Sequence, residues 1–112
     1  MNVQNYRMIA DSLLKVANSA PNLDGPTSYF QQNPFTPPNM RSDVTKAEFD
    51  AWVQYVNQTL DIAQKYTNQN VFFNTKVQIS QLNLNDNILY IHRIRTIQQI
   101  LIELSQQILN YN

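Results

Sequence analysis

Residues 88–111 read Ile-Leu-Tyr-Ile-His-Arg-Ile-Arg-Thr-Ile-Gln-Gln-Ile-Leu-Ile-Glu-Leu-Ser-Gln-Gln-Ile-Leu-Asn-Tyr, a run with neither proline nor glycine. Ile94, Ile97, Leu101, Leu104, Ile108 and Tyr111 recur at intervals of three and four. That is the heptad of a helix packed lengthwise against a near-parallel or antiparallel neighbour. Ile88, Ile91, Ile102 and Leu109 lie off this seam on a second flank. At 100° per residue, seam and flank together cover roughly 200° of the circumference, wider than the stripe of an ordinary surface helix. A helix over 86–110, capped by Asn85 or Asp86, is therefore central in its own bundle or shared with another subunit.

Two further helices are legible. From residue 3 to 18, Tyr6, Ile9, Leu13 and Val16 keep helical spacing, Ala20 continues it, and Ala10 and Leu14 widen the stripe. Pro21 stops this helix, because proline lacks an N–H and disfavours helical backbone in the residue before it. Thr45-Lys-Ala-Glu48 reads as a capping box, in which a hydroxyl and a carboxylate satisfy each other's backbone donors. The helix it opens spans 45–67, with Phe49, Trp52, Val53, Val56, Leu60, Ala63 and Tyr66 on one stripe and Asn68 and Asn70 as stop signals.

Between these helices lie two stretches of different character. Residues 21–42 hold all five prolines and the single glycine, with no period in their apolar positions, and read as one long Pro-rich loop. Tyr29, Phe30 and Phe35 are too apolar for a free linker and are expected to anchor the loop, on its own helices or on another chain. Residues 71–85 are ambiguous. Val77 and Ile79 alternate as in a strand, and the β-favouring residues Val71, Phe72 and Phe73 support a short strand or extended arm. The helical alternative places Phe73, Val77 and Leu84 on one face. The resulting expectation is a mainly α single domain over 1–112, a small bundle of three principal helices with Leu13, Trp52, Val56, Leu60, Ile97, Leu101 and Leu104 in its core.

Composition excludes several classes of function. Eight basic and eight acidic side chains cancel, so no long-range field gathers nucleic acid or an acidic membrane surface. With no cysteine there is no disulfide, thiolate nucleophile, iron–sulfur site or Cys-containing zinc site. Polarity comes instead from 15 Asn and 13 Gln, a quarter of the 112 residues, which solubilise a surface without charging it and can pair across contacts between subunits. The polar start Met-Asn-Val-Gln-Asn-Tyr-Arg lacks the apolar run of a signal peptide, and no stretch is long enough to cross a bilayer. The expected location is the cytoplasm or a virion assembled there.

Candidate chemistry is sparse. His92 is the single histidine, and the positions one turn either side are Ile88 and Thr96, so it reads as a helix-surface residue and no metal is expected. Arg93 falls inside the apolar seam and Arg95 on the second flank, which separates the only basic knot and favours a structural role for Arg93. Asp43 and Glu48 are accounted for by the start of the second helix. No serine elbow or Gly-rich phosphate loop exists, so no catalytic residue and no cofactor is expected. Pro34-Phe-Thr-Pro37 and Asn33-Pro34-Phe35 match short docking patterns, and Asn57-Gln-Thr59 a glycosylation acceptor inside a predicted helix.

The functional expectation is a non-enzymatic structural or interaction protein, working as a homo-oligomer or as one subunit of a larger particle such as a phage or viral connector, tail or capsid-associated part. The alternative is a small accessory binder that inhibits one host protein, in the manner of an antitoxin. Partner-binding residues are expected at Tyr29, Phe30 and Phe35 in the loop. Leu104, Ile108, Leu109 and Tyr111 are expected on the last helix, where a short first helix would leave an uncovered overhang.

Overall fold

The computed structural model describes residues 3–23, 42–67, 69–84 and 87–110. They form four helices: α1 (Val3–Asn18), α2 (Lys46–Thr67), α3 (Asn70–Leu82) and α4 (Tyr90–Leu109). The mainly helical class stands, and the count of principal helices rises from three to four. No strand occurs among the described residues.

The difference lies at residues 71–85, expected to be extended. Phe72, Thr75 and Ile79 are the buried residues of α3, spaced three and four apart. Thr75 hid this stripe, since it counts as polar in a sequence. Its hydroxyl donates to the Val71 carbonyl one turn back (2.8 Å), which satisfies the polar atom and lets the side chain enter the core. Packing of that face outweighs the β-propensity of Val71, Phe72 and Phe73, a preference that depends strongly on context.

Helix α2 begins as its capping box requires. Thr45 N–H donates to the Glu48 carboxylate (3.0 Å), and Glu48 N–H donates to the Thr45 hydroxyl (3.1 Å). One turn on, Lys46 pairs with Asp50 (2.6 Å), which holds the exposed Lys46 ammonium above its ordinary pKa. At the other end of α2 the Thr67 hydroxyl donates to the Ala63 carbonyl and accepts from Gln69 N–H, closing the helix before α3 begins.

Helix α4 starts later than expected, at Tyr90 rather than near 86, and its N-cap position, Leu89, supplies no side-chain bond. The cap comes from a distance. Asp43 accepts from Tyr90 N–H (3.0 Å) and Ile91 N–H (2.8 Å), and also from Val44 N–H (2.9 Å). Its negative charge sits where the α4 dipole favours one.

The helices alternate in direction. Trp52 near the start of α2 meets Val16 near the end of α1, and Ile62 lies beside Ile9, so α1 and α2 are antiparallel. Asp61 of α2 pairs with Lys76 of α3 across a tight connection. The Phe49 and Tyr90 rings lie 5.1 Å apart, which puts the starts of α2 and α4 side by side. Helix α4 therefore runs against both α1 and α3, and the α1–α4 interface is the most extensive. One core joins all four helices, including every one of the seven expected core residues.

Candidate interaction surfaces

Leu104 and Ile108 were expected to meet a partner and do not lie on the surface. Leu104 is 4% exposed and Ile108 fully buried. The physical reason is α1. Its Ala17 carbonyl accepts from the Gln98 side chain at the middle of α4 (2.8 Å), and the helix runs back from there along the C-terminal half of α4. Helix α3 flanks the same half, with Val71 and Thr75 beside Leu104. Leu109 remains exposed. Tyr29, Phe30, Phe35 and Tyr111 lie outside the described residues, as do both short proline motifs.

The residues singled out for chemistry take structural places. Arg93 is buried, donates Nε–H to the Ile88 carbonyl (3.1 Å), and lies over the Tyr90 ring at 4.9 Å and the Phe49 ring at 5.9 Å. Stacking on two aromatic faces accommodates the guanidinium inside an apolar seam. His92 and Arg95 are exposed on α4. Asn57 sits within α2, half-buried, with its amide oxygen buried. Among the described residues, no group of three or more His, Cys, Asp or Glu side chains could hold a metal ion, and no helix is long and apolar enough to cross a membrane.

Two apolar surfaces stand out instead, neither of them among the partner-binding residues expected from the sequence. The first is a groove between α1 and α2. Two hollows of about 280 and 270 Å³ share Ile9, Ser12 and Ile62, so the groove is continuous from Tyr55 at one end to Tyr66 at the other. Its rim leaves Met8 61% and Tyr66 70% exposed. Tyr66 had been expected on the buried stripe of α2, but it lies about a quarter turn away from the Val56–Leu60 line. Tyr55, Thr59, Ile62 and Tyr66, at intervals of four, three and four, form a second stripe on α2 that the sequence carries openly.

The second surface is a ridge along the outer side of α3. Phe73 is 60% exposed, Leu84 81%, and Val77 lies between them. Phe73 and Val77 point to solvent because Phe72, Thr75 and Ile79 occupy the inner face of α3, and Leu84 lies in the turn just past the end of the helix. Between groove and ridge, α2 presents the exposed polar residues Gln54, Gln58, Asp61 and Lys65, so the two apolar surfaces are separate.

No protein-family model, no curated protein and no solved structure matches the chain. The assignment of a role rests on these two surfaces.

Proposed function

We propose that the protein is a non-enzymatic interaction protein, a subunit that joins two neighbours in a larger assembly. The observation that carries this reading is the pair of separate apolar surfaces, the α1–α2 groove and the α3 ridge, divided by the polar side of α2. Apolar area of this kind is costly to leave in water and marks contact sites when it is contiguous. An inhibitor of a single target needs one such surface, whereas a building block needs two. The uncharged, amide-rich composition suits lasting contacts between subunits, because it avoids both charge repulsion and salt sensitivity. A particle component, such as a connector, tail or capsid-associated part of a virion, is a setting of this kind.

The test compares what co-purifies from a native extract with the wild type, a groove variant (Met8→Glu with Tyr66→Glu) and a ridge variant (Phe73→Glu with Val77→Glu). Each variant should keep its helical circular dichroism and lose a different contact. Loss through one surface only supports the single-target inhibitor. Retention of every contact by both variants removes the proposal.

A further inference from the structure

We propose that α3 is a latch: in the free chain it lifts from the core as a unit, by an opening of its own, while α1, α2 and α4 stay folded together. The inference concerns the free chain and does not depend on what meets the groove or the ridge.

The first argument is where buried polar atoms lack a protein partner. Among the described residues, three side-chain oxygens are buried with no donor from the protein: Oδ1 of Asn57, Oε1 of Gln64 and Oδ1 of Asn83. Asp61 pairs with Lys76, so the Asp61 side of α2 is the side that meets α3. Asn57 lies four positions before Asp61 and Gln64 three after it, a helical turn away in each direction on that same side. Asn83 is the residue that closes α3. The three unpaired oxygens therefore gather where α3 is seated or ends. Each carries a desolvation cost that water returns when the seam opens, so together they weaken this interface selectively.

The second argument is how little else holds the helix. Its fully buried apolar side chains are Phe72 and Ile79, with Val71 and Leu82 half-buried beside them; its third buried residue is Thr75. No side chain caps its first turn at Gln69. Its ion pair to α2 is exposed, and such pairs contribute little. Helix α3 packs chiefly on α2, lightly on α4 and, among the described residues, nowhere on α1. Helix α1, by contrast, lies along α4 in the most extensive interface and receives donors from both Trp52 and Gln98.

The opening changes what the chain offers. Seated, α3 shows only Phe73 and Val77 to the outside; lifted, it also presents Phe72 and Ile79. A helix that is apolar on both sides is at home only when surrounded. Lifting also uncovers Leu104 of α4, beside which Val71 and Thr75 lie in the seated state. The latch thus converts a narrow ridge into a whole apolar helix and its vacated seat.

The experiment is native-state hydrogen exchange on the purified full chain, each amide compared with its intrinsic rate. Amides around Thr75 should exchange at least about thirtyfold faster than those around Leu13 and Leu101. Val16→Ala, buried on α1 and remote from α3, separates a local opening from a global one. It should speed exchange around Leu13 and Leu101 about tenfold and leave α3 unchanged, because α1 stays folded in the opened state. Replacing the unpaired amides, Asn57→Leu with Gln64→Met, should slow exchange in α3 at least about fivefold. If that double variant loses helical circular dichroism, Asn57→Leu alone is read, with the same expected direction. Equal protection of α3 and the other helices, an α3 that follows Val16→Ala step for step, or an α3 indifferent to the amide replacements overturns the latch. The two-surface reading is untouched by any of these results, since its own test is what co-purifies with the groove and ridge variants.

Discussion

Asp43 decides where α4 begins. Its two carboxylate oxygens accept from Tyr90 and Ile91, 47 and 48 positions along the chain, and the same side chain also accepts from Val44. Orphan donors in the first turn of a helix must be satisfied, and the local candidates Asn85 and Asp86 lie four or five positions before the helix starts. Local rules assign Asp43 to the start of α2, and no sequence rule could have sent it to α4, because the pairing is tertiary. Asp43→Ala should cost about 1 to 3 kcal/mol in denaturant melts, the cost of a lost cap plus desolvated donors. Asp43→Asn should recover part of that, since the amide keeps one acceptor and loses the charge. A melt unchanged by Asp43→Ala would show that water replaces the carboxylate. By contrast, the Lys46–Asp50 pair is legible at sight from its spacing of four. Its raised lysine pKa means a contribution that is fully present below the ordinary 10.5 and is lost only as pH rises through the higher folded value, so it does not vary with pH near neutrality.

The elements were legible to the extent that their apolar residues declare a period without help. Helix α1 is bounded as expected by Pro21, and α2 by its capping box; the α4 seam is buried from Ile94 through Ile108. Helix α3 failed because Thr75 breaks the visible stripe and because five β-favouring residues crowd one short segment. The two faces of α3 now predict opposite outcomes. Ile79→Ala, in a site that is 1% exposed, should cost about 2 to 5 kcal/mol, while Phe73→Ser on the outer face should change the stability of the monomer by less than about 0.5 kcal/mol. A strand alternating through 71–79 would place 73 and 79 on one face and make the two costs similar. Leu101→Ala on α4 should fall in the same 2 to 5 kcal/mol range as Ile79→Ala, because Leu101 is fully buried between elements that cannot collapse around a void.

At the scale of the whole molecule, the question is whether α1 belongs to the cooperative unit. The expectation of an uncovered overhang on α4 compared one short helix with a last helix of about 25 residues; α4 has 20, and α3 supplies the covering element that an extended arm would not. Helix α1 is separated from α2 by 27 residues, so adjacency in the chain does not hold it. Three tertiary features do. Leu13, Val16 and Ala17 are buried in the common core, the Trp52 indole donates to the Val16 carbonyl (3.0 Å), and the Gln98 amide donates to the Ala17 carbonyl. The Val16 carbonyl also accepts from the Ser19 N–H and hydroxyl, so the indole adds to a local cap, while the Gln98 amide reaches the Ala17 carbonyl from α4. Chain order therefore says little about coupling here, since the first helix rests chiefly on the last. Native-state hydrogen exchange should show the amides around Leu13 opening with the same free energy as those around Leu101, both at the global value. Trp52→Phe, which keeps the ring and removes the indole donor, should lower both by about 1 kcal/mol together. If the α1 amides exchange by a separate opening at least 2 kcal/mol below the global one, about thirtyfold, α1 is a detachable arm. The groove it forms with α2 would then exist only part of the time.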